Sequence, residues 1–314
     1  MQCWVPVPVG SAAVLAAVLS FACVWLRAQV TTVYLLAWLA LRLLLQEQWV
    51  TQENVPGFDV GILNDYLGEV YHIDVAVQDC FDLGWASCRS RQWVVMRHKV
   101  KVLSTISPLS NFLLRFQRVC EFTWREYFQA GEDEIRNDLA WAAGRRESMA
   151  KKVADFNANM QITAESFRQV LTEKELGVLK YYEQRDPSAA VSLNQNPVAG
   201  FAVHSSWNAL QTLIKNVGII YSLPHKRFLT PSEGLLAQGF PVLAMADSAR
   251  PLCSFNYDRP RKRTAVLGQA GNSMNVQAAG LAGIIYPLVN FTFPDTPLHS
   301  LVQRMRMVRR QVSV

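Results

Sequence analysis

The sequence lacks the patterns that mark disulfide-rich proteins and zinc proteins. Its 314 residues include six cysteines and five histidines. The cysteines lie at positions 3, 23, 80, 88, 120 and 253, they form no C-x-x-C pair, and the histidines do not join them at the spacing of zinc ligands. We therefore expect reduced thiols and no structural metal. Cys80 and Cys88 are predicted to be ordinary small hydrophobic residues.

Charge is also scarce. Charged residues make up 18% of the chain and hydrophobic residues 50%, a composition that excludes a disordered protein and allows a sizeable core in one or two domains. The formal net charge of +6 suits a polyanionic partner but does not by itself indicate one.

The first 26 residues carry no charge at all. They include "VGSAAVLAAVLSFACVWL", which with its flanks is long enough to span a bilayer core of about 30 Å. No basic segment precedes this run, which disfavours a signal peptide and leaves a transmembrane helix, a buried element and a mistranslated leader as alternatives. A second apolar run, at 33–45, is interrupted by Arg42 and is predicted to be a buried amphipathic helix. Residues 1–46 are thus expected to form an apolar, helical leader.

From residue 47 onward the pattern is that of an α/β protein. Short apolar runs at 48–55 and 91–96 predict strands. Apolar residues repeat at intervals of three and four over 132–156 and 166–185, which predicts helices, and 186–200 is predicted to be a turn-rich break.

The stretch "RFLTPSEGLLAQGFP" (227–241) combines a complete helix start and a complete helix stop. Thr230 is the predicted N-cap, Pro231 the first helical residue, and Glu233 can bond back to the cap. Gly239 predicts a left-handed exit. So short a helix needs tertiary contacts to be stable, so it can position other elements as readily as connect them.

Three further stretches carry polar residues beside predicted strands or helices. Glu53 lies in "TQENVPGF" after the first strand, and Arg89 and Arg91 precede the second strand, two residues apart and therefore on one face of an extended chain. In "QAGNSMNVQ", Asn272 and Ser273 precede an apolar helix, a junction that can hold a polar ligand.

Taken in order, these motifs resemble the second half of a DNA cytosine-5 methyltransferase. They are E-N-V, G-x-x-x-x-R-x-R, Thr212-Leu213, R-x-L-T-P-x-E with Q-G-F-P, and G-N-S-M, and the resemblance covers roughly residues 45 to 290. It implies an α/β fold with an incomplete Rossmann-like sheet. A partial catalytic domain would occupy 47–97, an inserted target-recognition region 98–226, and the return to the catalytic domain 227–314.

The resemblance also implies a chemistry, a cofactor and a partner. Family members flip a cytosine out of DNA, add a cysteine thiolate at C6, and transfer the methyl group of S-adenosylmethionine to C5. Glu53 would hold N3 and the exocyclic amine of the base, Arg91 its O2 oxygen, and Arg89 would support that pocket. Asn272 and Ser273 would contact the methionine end of the cofactor. The helix at 230–238 would brace the target-recognition region against the catalytic domain.

The departures from the family pattern concern both packing and catalysis. Ser87 replaces the family's glutamine, Ala86 its proline and Leu236 its arginine, changes that we expect to loosen packing or a polar contact. The chain also contains no G-x-G turn for the cofactor and no Pro-Cys nucleophile dipeptide. Because losing a covalent nucleophile costs many orders of magnitude in rate, we predict that this chain alone does not methylate DNA.

The region 97–226 is the predicted DNA-reading part. Its candidate phosphate contacts and apolar anchors are Arg115, Arg118, Arg145, Arg146, Lys151 and Lys152, with Trp124, Trp141 and Trp207, although a solvated helix face and core tryptophans would explain them equally well. "RPRKR" (259–263) would contact phosphate, act as a nuclear address, or simply be a solvated charged loop.

Four functional alternatives follow. The chain is a truncated or degenerate methyltransferase that retains DNA binding, or one half of a split enzyme whose second chain supplies the cofactor-binding half, and in both cases the family resemblance implies a nuclear location. Alternatively, it is a non-catalytic protein built on a decayed methyltransferase scaffold and anchored in a membrane through its leader, or a stable, soluble DNA-binding module without catalysis. Loss of the first strands of a parallel sheet would expose an apolar strand, which the leader could cover.

Overall fold

The computed structural model describes residues 30–104, 107–147, 161–197, 208–214, 218–240, 242 and 263–292. The charge-free run of the leader lies outside this range. The helices and helical turns are α1 Val30–Leu45, α2 Gly61–Leu67, α3 Leu109–Leu114, a 3-10 turn Trp124–Tyr127, α4 Glu132–Glu147, α5 Ala164–Gln169, α6 Glu173–Arg185, α7 Pro231–Ala237, α8 Arg263–Asn272, α9 Val276–Gly280, a π-helical turn Leu281–Ile285 and α10 Tyr286–Asn290. The strands are β1 Trp49–Asn54, β2 Tyr71–Gln78, β3 Arg91–His98, β4 Leu103–Ser104, β5 Ala190–Ser192, β6 Ile220–Ser222, β7 Arg227–Phe228 and β8 Phe291–Thr292.

The chain divides into two compact units, and each is described by itself. Unit 1 consists of Met1–Val77, Gln92–Leu114 and Leu281–Val314, and unit 2 of Gln78–Arg91 and Arg115–Gly280. Each of the three segments predicted after the leader, 47–97, 98–226 and 227–314, contains residues of both units. Mixed helix and sheet confirms the α/β class in its coarse sense.

Unit 1 is built on a three-stranded sheet with the order β1-β3-β2. The strands predicted at 48–55 and 91–96 are confirmed as β1 and β3, which pair antiparallel with Val50 opposite Met96 and Glu53 opposite Trp93. The resemblance predicts a parallel sheet, whereas this pair is antiparallel, an arrangement that otherwise parallel sheets also accommodate. One face of the sheet packs against α1 and α2 through an apolar cluster that includes Leu39 and Leu63.

Helix α1 confirms the helix predicted at 33–45 but not its burial. Leu39 packs against α2 and is 2% exposed, whereas five large apolar side chains on the opposite side are exposed, namely Val33, Tyr34, Leu41, Leu44 and Leu45. At 100° per residue these five fall within roughly a third of the helix circumference. Apolar side chains lie on more than one side of α1, and packing against α2 buries only the side that carries Leu39. Among the described residues, every helix falls short of what a membrane span requires.

Unit 2 has two apolar cores and a second antiparallel sheet, β5-β6-β7. The helical pattern predicted at 166–185 is two helices, because Thr172 ends the first run and caps α6 with a capping box to Glu175. The predicted break at 186–200 contains the buried strand β5, which pairs with β6. The helix predicted at 132–156 is confirmed as far as Glu147, and its continuation lies outside the described residues.

The short helix α7 has the ends that the sequence predicts. It spans Pro231–Ala237, and Gly239 follows with a φ of +85°. The N–H of Gly239 donates to the Leu236 carbonyl at 2.8 Å, and the N–H of Phe240 donates to the Leu235 carbonyl at 3.1 Å. This pair of bonds is a Schellman motif, which requires the left-handed residue that glycine supplies.

Glu233 ties this helix to its surroundings. Its carboxylate is fully buried and accepts the N–H of Thr230 at 2.9 Å, the reciprocal arm of the capping box. It also accepts the N–H of Ala130 at 2.8 Å and both terminal nitrogens of Arg227, at 2.9 and 2.7 Å. The predicted capping residue is therefore also one side of a buried bidentate ion pair.

Helix α4 holds the starts of α7 and α8 with two carboxylates one turn apart. The Ser232 N–H and hydroxyl donate to Glu134 at 3.1 and 2.6 Å. Asp138 pairs with Arg263, whose Nη2 donates to the Leu229 carbonyl at 3.3 Å. Burial raises the pKa of Asp138 to about 6 even though the Arg263 guanidinium counteracts it. The starts of both helices are thus fixed by side-chain contacts within unit 2.

We predict that Glu233→Gln destabilises the protein by about 3–5 kcal/mol, because it leaves the Arg227 guanidinium buried without its counter-charge. The matched control is Glu132→Gln, which removes an i,i+4 pair to Arg136 from a carboxylate whose side chain is 72% exposed. This control should cost less than about 1 kcal/mol. Urea denaturation of both variants measures the difference, and equal midpoints would contradict the assignment.

Candidate functional site

Asp79 organises the loop that precedes β3. Its Oδ1 accepts the N–H of Phe81 at 2.9 Å and the N–H of Arg89 at 3.1 Å. Within the loop, the Cys80 thiol donates to the Ser87 carbonyl at 2.7 Å. These bonds close the loop at its two ends, so the backbone of Arg89 is fixed independently of its side chain.

A parallel bridge joins this loop to the Thr212-Leu213 segment. Ser87 and Leu210 are the bridge partners. The Cys88 N–H donates to the Leu210 carbonyl at 2.7 Å, and the Leu210 N–H donates to the Ala86 carbonyl at 2.8 Å. The Thr212 hydroxyl then donates to the Cys88 carbonyl at 2.6 Å. Two motifs that are more than a hundred residues apart in the chain are therefore neighbours.

The Arg89 guanidinium extends this junction to a third motif. It is 4% exposed, and its Nη1 donates to the Leu213 carbonyl while its Nη2 donates to the Gly271 carbonyl, both at 3.2 Å. Gly271 lies in the last turn of α8, where backbone carbonyls lack helical partners and attract positive charge. Arg89 therefore joins its own loop to the Thr212-Leu213 segment and to the end of α8 from a buried position, while its role beside a base stays a prediction.

The two residues predicted to contact the cofactor lie at the end of α8. Asn272 is the last residue of that helix, and it is exposed. The Ser273 hydroxyl donates to the Ala270 carbonyl at 2.8 Å, and the Ser273 N–H donates to the Gln269 carbonyl at 2.7 Å. Asn272 is thus accessible to solvent, whereas the Ser273 hydroxyl already donates its proton within the loop.

Sequence reasoning missed Asn275, which fixes this loop. It is 3% exposed, and its Oδ1 accepts the N–H of Ala278 at 3.1 Å as the N-cap of α9. The Val276 N–H donates to the Gln238 carbonyl at 3.0 Å, next to the exit of α7. In the sequence, Asn275 stands directly before the apolar helix, a position typical of an N-cap, whereas the family motif G-N-S-M contains Asn272 instead.

Arg91 and Glu53 occupy different settings from Arg89. Arg91 is half-buried at the start of β3, and its Nη1 donates to the carbonyl of Ser90 at 2.7 Å. Glu53 belongs to unit 1, where it is half-buried near the end of β1 and opposite Trp93. Of the two predicted arginines, Arg89 is therefore buried and structural, whereas the guanidinium of Arg91 is closer to solvent.

The three residues that depart from the family pattern, Ala86, Ser87 and Leu236, are well packed. Ser87 is 2% exposed, and its hydroxyl donates to the Ala237 carbonyl at 2.9 Å. The indole N–H of Trp85 donates to the same carbonyl at 3.0 Å. Ala86 and Leu236 are buried in the core around them. Whether these contacts are looser than those of the family stays a prediction.

Cys80 and Cys88 are poorly suited to replace the missing nucleophile. Cys80 is buried, and burial with the nearby Asp79 carboxylate raises its pKa strongly. Cys88 is exposed. Desolvation of its thiol and the carboxylates of Asp79 and Asp82 nevertheless raise its pKa to about 11. Both thiols are therefore protonated at neutral pH, whereas the thiolate is the reactive form.

Several predicted DNA contacts have structural roles instead. Arg118 packs against Gly84, whose φ is +80°, and its Nε donates to the Leu83 carbonyl at 2.9 Å. Arg263, the last residue of the basic run, is buried against Asp138 rather than solvated. Trp124 is a core residue, Trp141 lies under the Arg263 guanidinium, and Arg115 is exposed. The remaining candidates fall outside the described residues or have side chains that do, namely Arg145, Arg146, Lys151, Lys152, Trp207 and 259–262.

Comparison with protein-family models and with curated proteins finds no match to this chain. Within the described ranges, His, Cys, Asp and Glu side chains form no group that could hold a metal ion. Function is therefore inferred from the residues themselves.

We predict that Arg89→Lys destabilises the junction by about 2–3 kcal/mol, because one ammonium cannot bond both carbonyls in the fixed geometry of a guanidinium fork. Arg91→Lys is the matched control and should change stability by less than about 1 kcal/mol. Hydrogen exchange should accelerate in residues 208–214 and at the end of α8 in the Arg89 variant. Unchanged exchange in both segments would show that Arg89 does not join them.

Proposed function

We propose that this chain is the base-binding and DNA-reading half of a cytosine-5 methyltransferase, and that it does not catalyse methyl transfer alone. The observation that supports the proposal best is the pair of hydrogen bonds from Arg89 to Leu213 and Gly271, across 124 and 182 residues of chain. The motifs were identified by their order in the sequence, which contains no information about their distance in space. Their contact is therefore an independent argument for the resemblance.

The resemblance assigns a contact with the base to each of Glu53 and Arg91, which belong to different units and whose relative position is not part of the proposal. A carboxyl group can bond to N3 and to the exocyclic amine of cytosine, and a guanidinium can stabilise the charge that develops on O2 during attack at C6. Arg89 would keep the loop that carries Arg91 in place. DNA is the partner in this proposal, and the G-x-G and Pro-Cys motifs that these residues lack would come from another polypeptide segment.

The residues present fit only one end of S-adenosylmethionine. The exposed Asn272 amide can bond to the methionine end, but the sequence has no G-x-G turn for the rest of the cofactor. We therefore derive no catalytic step through the cofactor for this chain alone. The raised pKa values of Cys80 and Cys88 are consistent with a chain that binds the base but does not supply the nucleophile.

The test uses duplex DNA that contains 5-fluorocytosine, which traps the covalent adduct of this family on a denaturing gel. The chain alone should give no adduct and should transfer no labelled methyl group. Addition of the amino-terminal half of an intact family member, with its G-x-G strand and Pro-Cys loop, should restore both. Adduct formation by the chain alone would contradict the proposal.

Glu53→Gln should reduce the restored activity by roughly 100-fold or more, which is typical for loss of one transition-state contact. Glu69→Gln, on an exposed carboxylate of unit 1, is the matched control and should retain full activity. Restored activity that is insensitive to Glu53→Gln would remove this residue from the base site.

A second candidate function is a non-catalytic protein that is anchored in a membrane through its leader. The exposed apolar side of α1, which includes Tyr34, Leu41 and Leu44, favours it because so large an apolar face usually meets a membrane or another protein. Alkaline carbonate extraction of membranes from cells that express the full chain should then leave the chain in the pellet. Complete release into the supernatant would exclude an inserted leader.

A further inference from the structure

The buried ion pair of Glu233 and Arg227 continues outward as a column of rings. The Arg227 guanidinium carbon lies 4.8 Å from the centroid of the Phe128 ring. The His225 imidazole stacks on that ring with 4.6 Å between centroids and 6° between planes. Because both groups lie over the ring at contact distance, they must cover opposite faces of Phe128.

The imidazole at the end of this column is exposed and held in one orientation. His225 lies in the turn between β6 and β7, and its Nδ1 bonds to the Ser222 hydroxyl at 2.8 Å. The Ser222 hydroxyl also accepts the His225 N–H at 3.2 Å, and Trp124 touches the edge of the imidazole with 6.2 Å between centroids. Since one face of the imidazole is against Phe128, a further ring can stack only on the opposite face.

The surroundings keep this ring neutral and place one positive charge beside it. Desolvation and the Arg227 guanidinium lower the pKa of His225, with Arg125 acting in the same direction and Glu233 and Glu126 opposing it. Lys226, the next residue, is exposed and has a φ of +55°. Arg227 is neutralised by Glu233, so Lys226 is the nearest exposed cation in this turn.

We propose that the outer face of His225 is a stacking platform for an unpaired base of single-stranded DNA, with Lys226 contacting the adjacent phosphate. Flat rings fixed at a surface next to a cation are the usual means by which proteins bind unpaired bases, and histidine serves in this way as phenylalanine does. The column of Phe128 and Arg227 behind the ring pre-organises it, so little side-chain entropy is lost on binding. The inference rests on the DNA-binding part of the proposed function and adds a preference for unpaired strands.

The experiment measures binding of the full chain to a fluorescein-labelled 12-nucleotide oligo(dT) and to a fully paired 12-bp duplex by anisotropy. His225→Ala should weaken binding of the single strand by roughly 5- to 100-fold, the usual range for loss of one base stack. Binding of the duplex should change by less than about twofold, because a paired base is not available to stack. An equal loss on both substrates, or no loss on either, would overturn the proposal.

Three further variants keep the test informative if the alanine variant is unstable. His225→Phe retains a flat ring and should bind the single strand within about threefold of the unmodified chain. His72→Ala removes another exposed histidine, in unit 1, and should have no effect. Lys226→Ala should lower the slope of log affinity against log salt by about one. Weak binding by the phenylalanine variant would overturn the stacking role.

Failure of this inference and failure of the proposed function are distinguishable. If the unmodified chain binds duplex but not oligo(dT), the single-strand platform is wrong while the proposed function stands. If it binds neither, the DNA-reading role fails as well. Restoration of adduct formation by the second half tests the proposed function without reference to His225.

Discussion

The burial of one carboxylate, that of Glu233, is the constraint on which unit 2 depends. A charged carboxylate removed from water costs several kcal/mol unless donors replace its hydration. Here the donors come from the helix start at Thr230, from Ala130 and from the Arg227 guanidinium. None of these contacts can be lost without leaving part of the charge unmatched. That requirement explains why a helix of seven residues, too short to be stable alone, has such sharply defined ends.

The same helix connects this ion pair to the candidate site. At its start, Ser232 bonds to Glu134 of α4, and at its end the Ala237 carbonyl accepts bonds from Ser87 and Trp85. Those two residues belong to the loop whose last part carries Arg89. The position of Arg89 therefore depends on a series of contacts that begins in the core. A substitution of Glu233 should alter the position of the loop, even though Glu233 does not contact it.

The sequence was sufficient where structure is determined locally and insufficient where it depends on long-range contacts. The ends of α7, the strands β1 and β3 and the helix α1 follow from capping residues and apolar patterns that act over a few positions. The Arg227 partner of Glu233, the burial of Arg263 and the bonds of Arg89 depend on segments far apart in the chain. For α1, an apolar run predicted burial, but which face is covered depends on α2, and the sequence pattern carries no information about that neighbour.

The contacts that hold unit 2 together are independent of any nucleophilic residue. The supporting contacts are spread over many residues, among them Arg89, Glu233 and Asn275, and each is tied to backbone groups that every fold must satisfy. A nucleophilic thiolate is one side chain in a special environment, and the environments of Cys80 and Cys88 disfavour the charged form. Because none of the contacts that hold the loop, α7 and the end of α8 together uses a thiolate, the stability of unit 2 does not depend on one. In the proposed function, binding of a base and attack on it are therefore separable, and the proposal assigns only the first to this chain.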